Sequence, residues 1–179
     1  MRPITRDDWQ RKANADPYWR DRWRYMGVAR EFLLAVPDIT EGSRVLELGA
    51  GGLPLCVDSD RIAKIAQGVP NTHVHDLTQF PWPIESDARY DAVVALEVLE
   101  HLSPHQAAVT AQIQRISDHF VFSVPYLWRG GDSMHRDRSL IDVQKWTGNA
   151  RWLRWRVVTH DGPPILVVLA CLKETPAVT

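Results

Sequence analysis

The sequence predicts an α/β fold, a doubly wound and mostly parallel sheet that ends in a C-terminal antiparallel β-hairpin. Three observations carry this. Strand-like and helix-like runs alternate between residues 44 and 147, as they must when parallel strands are joined by crossover helices. Two of the strand-like runs, Arg44–Leu48 and Tyr90–Leu96, are mostly apolar, which suits strands covered on both faces. The last two β-rich runs are separated by Asp161-Gly162, a strong hairpin signal.

The chain has 179 residues, room for a single domain with its own core, expected to divide into an N-terminal helical segment at 1–40 and a sheet core at 44–173. Residues 1–16 are polar and read as loosely held. Asp16-Pro17 then offers an N-cap followed by proline at the first helical position, opening a helix to about Ala35 that Phe32, Leu33 and Val36 would dock. Residues 37–42 read as a turn and 44–48 as the first strand. No clear element follows until Thr72–His75, a short strand before the proline-broken Phe80-Pro81-Trp82-Pro83. After the strand ending at Leu96, Ser103-Pro104-His105-Gln106 reads as an N-cap with a capping-box pattern, starting a helix to about Ser117. His119–Val124 is the next strand, residues 138–147 read as helix, and Trp152–Thr159 with Pro164–Leu172 form the closing hairpin.

The first strand runs into Glu47-Leu48-Gly49-Ala50-Gly51-Gly52. A glycine-rich turn at the carboxyl edge of a sheet lets backbone pass close to a nucleotide-like ligand, although glycine there can equally be a turn former. With Arg44–Gly51 this resembles motif I of class I S-adenosylmethionine-dependent methyltransferases, of the short bacterial type, whose fold is Rossmann-like. In that family an acidic residue closes the first strand near the methionine moiety. His75-Asp76-Leu77 through Pro83 resembles the segment whose aspartate meets the adenine amino group and whose next residue packs on the ring. Tyr90–Leu96 with Glu97-Val98-Leu99-Glu100-His101-Leu102 resembles the family's fourth strand and its following turn, and Phe122-Ser123-Val124-Pro125 its fifth. The resemblance covers residues 44–125 and implies cofactor contacts at Glu47, Gly49, Ala50, Gly51, Asp76, Leu77, Leu96 and Glu97.

Two departures stand out. Leu53-Pro54 replaces the third glycine, which weakens Gly52 as a contact. The acid for the ribose hydroxyls lies roughly 20 residues past the glycines in a full-length mononucleotide fold, but here Asp76 follows Gly51 after only 25 positions, and against short bacterial methyltransferases with a GxGxxP-like loop the acid position falls near Ala63. Asp58 and Asp60 are the nearest substitutes and read as readily as solvated loop acids.

If the turn after Leu96 is helical, Glu97 and His101 stand at i,i+4 and Glu97 and Glu100 at i,i+3. Glu97, Glu100 and His101, joined by His135 from the loop after the fifth strand, resemble the divalent-metal site of some O-methyltransferases, in which the ion would lower an acceptor hydroxyl's pKa. The less metal-dependent readings make His101 or His135 the general base, a role its ordinary pKa near ~6.5 permits, or give the turn a structural role.

Methyl transfer from an activated sulfonium needs alignment and exclusion of water more than catalytic side chains. The fold is therefore legible and the acceptor is not. The N-terminal helix, Tyr126–Gly131 and Lys145-Trp146-Thr147-Gly148 are expected to line its pocket. No inserted recognition domain is evident, which leans toward a small-molecule or glycan acceptor, methylated at oxygen. A degenerate cofactor-binding scaffold and an RNA methyltransferase are the alternatives. Trp19–Arg24 and Arg151–Arg156 interleave Arg with Trp as nucleic-acid surfaces do, but Arg on Trp is common surface chemistry, and a net charge of −1 offers a polyanion little. Cys56 and Cys171 suggest neither disulfide framework nor thiolate metal site, and no leader or membrane span is expected, the longest apolar run being Ile165–Leu172. Cytoplasmic localisation follows as the expectation, with oligomeric state open.

Overall fold

The computed structural model describes residues 17–37, 39–40, 42–49, 62–64, 75–84, 88–127, 139–148, 150–160 and 164–172, with residues 11, 14, 15 and 162 besides. In chain order the elements are α1 (Pro17–Leu34), β1 (Val45–Leu48), β2 (Ile62–Lys64), β3 (Ala92–Leu96), a 3₁₀ helix (Leu99–Leu102), α2 (Gln106–Ile116), β4 (His119–Pro125), α3 (Leu140–Thr147), β5 (Arg151–Val158) and β6 (Ile165–Cys171). The strands form one sheet in the order β2-β1-β3-β4-β6-β5. β2, β1, β3 and β4 are parallel, and β6 runs antiparallel to both β4 and β5.

Each face of this Rossmann-like sheet is buried by helix. On α1, Tyr25, Met26, Ala29, Phe32, Leu33 and Val36 recur at helical spacing and pack on alternate strand residues such as Val94, Val121 and Val167. On the other face, Val109, Ile113 and Ile116 of α2 and Val143 of α3 cover Val93, Phe122 and Val168. Each such fully buried side chain contributes roughly 1.5–3 kcal/mol, so α1 is one wall of the core. At the other end of the strands, Arg44 N–H donates to Asp91 Oδ2 at 2.6 Å and Asp91 N–H to the Arg44 carbonyl at 2.8 Å, which sets β1 against β3.

The structure refines the sequence expectations in four places. The closing hairpin stands at the sheet's end, and within it β6 lies between β4 and β5, leaving β5 on the edge. Burial decides this, because Ile165–Ala170 are buried on both faces while Arg151 and residues 153–156 are exposed. β2, which the sequence did not reveal, pairs Ile62, Ala63 and Lys64 with Val45, Leu46 and Glu47. Of the expected Thr72–His75 strand only His75 is described, and it lies in a loop. Finally, α2 begins at Gln106 with His105 as an N-cap that makes no side-chain cap bond, because residues 103–104 form the turn that leaves the 3₁₀ helix. The capping box belongs instead to α3. Ser139 Oγ accepts from Asp142 N–H at 3.3 Å and Asp142 Oδ2 accepts from Ser139 N–H at 3.0 Å.

Candidate functional site

After β1 the chain adds β2 on one side and then returns to place β3 on the other, so the carboxyl ends of β1 and β3 flank the sheet's topological switch point. That crevice is where doubly wound sheets bind ligands. Glu47, near the end of β1, is 1% exposed. Gly49 follows with φ +61°, and a Cβ there would stand 2.6 Å from Val98 Cγ2. Only glycine fits, for its left-handed backbone and for the close approach of the two loops.

Across the crevice, β3 ends at Leu96, which is buried, and Glu97 turns the chain with φ 56°. Such a conformation costs a non-glycine residue of order 1–3 kcal/mol unless its surroundings hold it. Ser123 of β4 does so. Its Oγ accepts from Glu97 N–H at 3.1 Å and donates to Glu97 Oε1 at 2.7 Å, while the Ser123 carbonyl accepts the same N–H at 3.1 Å.

Glu97 therefore precedes the helical turn instead of belonging to it, and Glu97 and His101 do not share a helix face. The 3₁₀ helix carries Glu100 inward, 1% exposed, where neither carboxylate oxygen has a hydrogen-bond partner among the described residues. Burial, then the nearby Glu97 charge, push its carboxyl well above the ordinary 4.5, with Arg22 of α1 opposing. Arg22 is itself 7% exposed, not the surface arginine expected from its cluster with Trp. His101 faces outward, its Nε2 3.9 Å from Glu100 Oε1. Among the described residues no three His, Cys, Asp or Glu side chains are grouped to hold a metal, and His135 lies outside them.

The segment 75–84 packs beside α2. Trp82 is buried, donating Nε1–H to the Leu77 carbonyl at 3.0 Å, and Leu77 rests against the core cluster that contains Leu48 and Val98. This leaves the Asp76 carboxylate exposed. Oδ1 accepts from Thr78 N–H at 2.9 Å and Thr78 Oγ1 at 2.8 Å, and these bonds hold the group ionised to lower pH than an ordinary aspartate.

Ala50, Gly51, Gly52, Leu53, Asp58 and Asp60 lie outside the described residues. At the end of β2, where a ribose-binding acid was sought, Ala63 and Lys64 stand in register with Leu46 and Glu47. Lys145-Trp146-Thr147-Gly148, expected at the acceptor pocket, close α3 just before β5. Arg151 pairs with Cys171 and Cys171 with His119, the first residue of β4, so these residues sit at the opposite edge of the sheet. Ser123 and Arg22 were not anticipated. A lone hydroxyl inside the apolar run of β4 was the available signal for Ser123, and Arg22 had none beyond its place on the buried side of α1.

No protein-family model matches the sequence and no curated protein matches it. Solved structures do. The chain is similar to a SAM-dependent methyltransferase from Aquifex aeolicus, with TM-score 0.61 and 17% identity, over 90% of this chain and 96% of that one. It is similar to the N-methyltransferase NodS from Bradyrhizobium japonicum in complex with S-adenosyl-L-homocysteine, with TM-score 0.61 and 14% identity, over 93% and 92%. Magnesium protoporphyrin IX methyltransferase from Synechocystis with bound SAH matches at TM-score 0.58 and 17% identity, over 92% and 93%. At these identities the likeness establishes the fold, which is the Rossmann-like fold of S-adenosylmethionine-dependent methyltransferases.

Proposed function

We propose that this chain is an S-adenosylmethionine-dependent methyltransferase, acting at oxygen on a small-molecule or glycan acceptor. The observation that carries the reading is Gly49, held left-handed against Val98 at the switch point, between Glu47 and Glu97. The residues present fit the cofactor's chemistry. Carboxylates at the ends of β1 and β3 suit a cationic amino-acid end, and the exposed, ionised Asp76 suits an amino donor such as that of adenine. When bound, S-adenosylmethionine supplies a sulfonium methyl that passes to the acceptor oxygen and leaves S-adenosylhomocysteine.

The protein's part is to bind and align. Glu47, Gly49, Ala50 and Gly51 hold the methionine side, Asp76 and Leu77 the adenine, and Leu96 and Glu97 wall the crevice. Ser123 fixes Glu97. His101, exposed beside the crevice, or His135, takes the acceptor hydroxyl's proton as general base. The N-terminal helical segment, resting on the Leu96 side of the sheet, covers the acceptor. No helix among the described residues is long and apolar enough to cross a membrane.

A second reading, a cofactor-binding scaffold without turnover, draws on Leu53 in place of the third glycine and on the absence of an acid at Ala63, near which a ribose acid is expected. Calorimetric titration with S-adenosylmethionine and S-adenosylhomocysteine, on the wild type, Asp76→Ala and Gly51→Trp, with and without chelator, tests both. Micromolar binding lost in both variants supports the cofactor site. Binding without methylation of any hydroxylated acceptor favours the scaffold. Loss on chelation would bring Glu97, Glu100, His101 and His135 together around a metal. A folded wild type that binds neither molecule overturns the proposal.

A further inference from the structure

β5 closes the sheet and pairs with β6 alone, and among the described residues no loop or helix exchanges a hydrogen bond with its backbone. Such an edge presents alternating N–H and C=O groups that another extended chain can pair with. A bulge sorts its side chains. The register runs from Arg151↔Cys171 and Trp152↔Ala170 past Leu153 to Arg154↔Leu169. The extra residue brings Arg151 into one row with Arg154 and Arg156, on the sheet face that α1 covers, and puts Trp152, Trp155 and Val157 on the other. Without it, strict alternation would turn Arg151 away from the other two arginines. From Arg154 to Val158 the ladder is regular, so a neighbour could pair there without interruption.

Both rows are open to solvent. Arg151, Arg154 and Arg156 are exposed, and Trp155 is 54% exposed with no ring partner among the described residues. Arg156 is engaged, donating from Nη1 and Nη2 to the two carboxylate oxygens of Glu31 at 2.9 Å each. Arg151 and Arg154 form no ion pair among the described residues. β5 thus carries three arginines and no acid, on a chain whose net charge is −1. A second copy paired on this edge would bring three more arginines to the same seam, and like charges across strands destabilise the pairing. A nucleic acid would answer the arginines but not the row of backbone donors and acceptors.

We infer that the edge of β5 is a docking site for an extended segment of another protein in which acidic and apolar residues alternate, and which adds to the sheet as one more strand. Its carboxylates lie beside Arg151 and Arg154, and its apolar side chains beside Trp155 and Val157. The site is separate from the switch-point crevice and does not depend on the proposed methyl transfer.

The probes are a capped peptide of alternating glutamate and valine, its lysine–valine counterpart, the fully N-methylated glutamate–valine peptide, and oligouridylate. Each is titrated into the isotope-labelled full chain and followed by amide and indole N–H shifts. The glutamate–valine peptide is expected to give saturable shifts confined to residues 151–158 and the indoles of Trp152 and Trp155. The N-methylated form keeps the charges but loses every backbone donor, and should not bind. Arg154→Glu, at an exposed position, should weaken the peptide about tenfold and leave the rest of the spectrum unchanged, and Arg154→Lys should restore most of the affinity. Equal binding of the lysine or N-methylated peptide overturns the inference, as does the absence of saturable shifts, which would mean that the arginines only guard the edge. Oligouridylate binding to β5 in preference to the peptide would make the strand a nucleic-acid surface instead, and dimerisation of the free chain through β5 would make the occupant a second copy.

Discussion

Ser123 Oγ sits between two atoms of Glu97, accepting the backbone N–H at 3.1 Å and donating to Oε1 at 2.7 Å across 26 residues of sequence. One side chain therefore secures both the strained backbone and the carboxylate direction of a crevice residue. Ser123 is fully buried, so water cannot replace it. Ser123→Ala should lower stability by about 1–2 kcal/mol and weaken S-adenosylhomocysteine binding, whereas Ser123→Thr, which keeps the hydroxyl, should retain more of both. Denaturant melts and calorimetry check this. Equal losses in the two variants would mean that packing around β4 matters and the hydroxyl does not.

Gly49→Ala places a methyl 2.6 Å from Val98 Cγ2 and forces φ +61° on an L residue. We expect a cost of about 1–3 kcal/mol and loss of cofactor binding. Val98→Ala removes the clash but not the backbone strain. The double variant should therefore be less destabilised than the sum of the singles. Strict additivity in urea unfolding would show that the two loops do not meet as described.

The raised pKa of Glu100 makes stability depend on pH in a defined sense. The folded state keeps a proton that the unfolded chain releases above about 4.5. The resulting stabilisation is complete below that pH and is lost as pH rises through the folded-state value. The wild type should lose unfolding free energy on this account as pH climbs toward neutrality. Glu100→Gln cannot ionise and should gain relative to it over the same range. Unfolding curves that run parallel at every pH would contradict the placement of this carboxyl.

Adjacent leucines test whether α1 belongs to the core. Leu33 is fully buried on the sheet and Leu34 is 40% exposed. Leu33→Ala should cost about 2–5 kcal/mol, and Leu34→Ala should stay within about 0.5 kcal/mol. Thermal unfolding of the two variants side by side gives the answer, and comparable losses would place the helix differently.

Features that depend on local pattern were legible in the order of the amino acids. The apolar runs that became β1, β3 and β4, the helical spacing of α1, the Gly49 turn and the antiparallel pairing of β5 with β6 were all legible, because burial on two faces, helical period and left-handed backbone each leave a mark within a few residues. Even locally, the Ser139–Asp142 capping box was overlooked and a false one read at Ser103, since the same residue types also close turns. Which elements meet was set by long-range packing. β6 enters between β4 and β5 because its buried Ile165–Ala170 must be covered on both faces, which the exposed residues of β5 need not be. Ser123 reaches Glu97, Arg22 lies near Glu100, and Trp146 falls at the far edge, through pairings between segments distant in sequence. A local pattern states that a face must be buried; it does not name the partner that buries it, and that choice is made by the packing of the whole sheet.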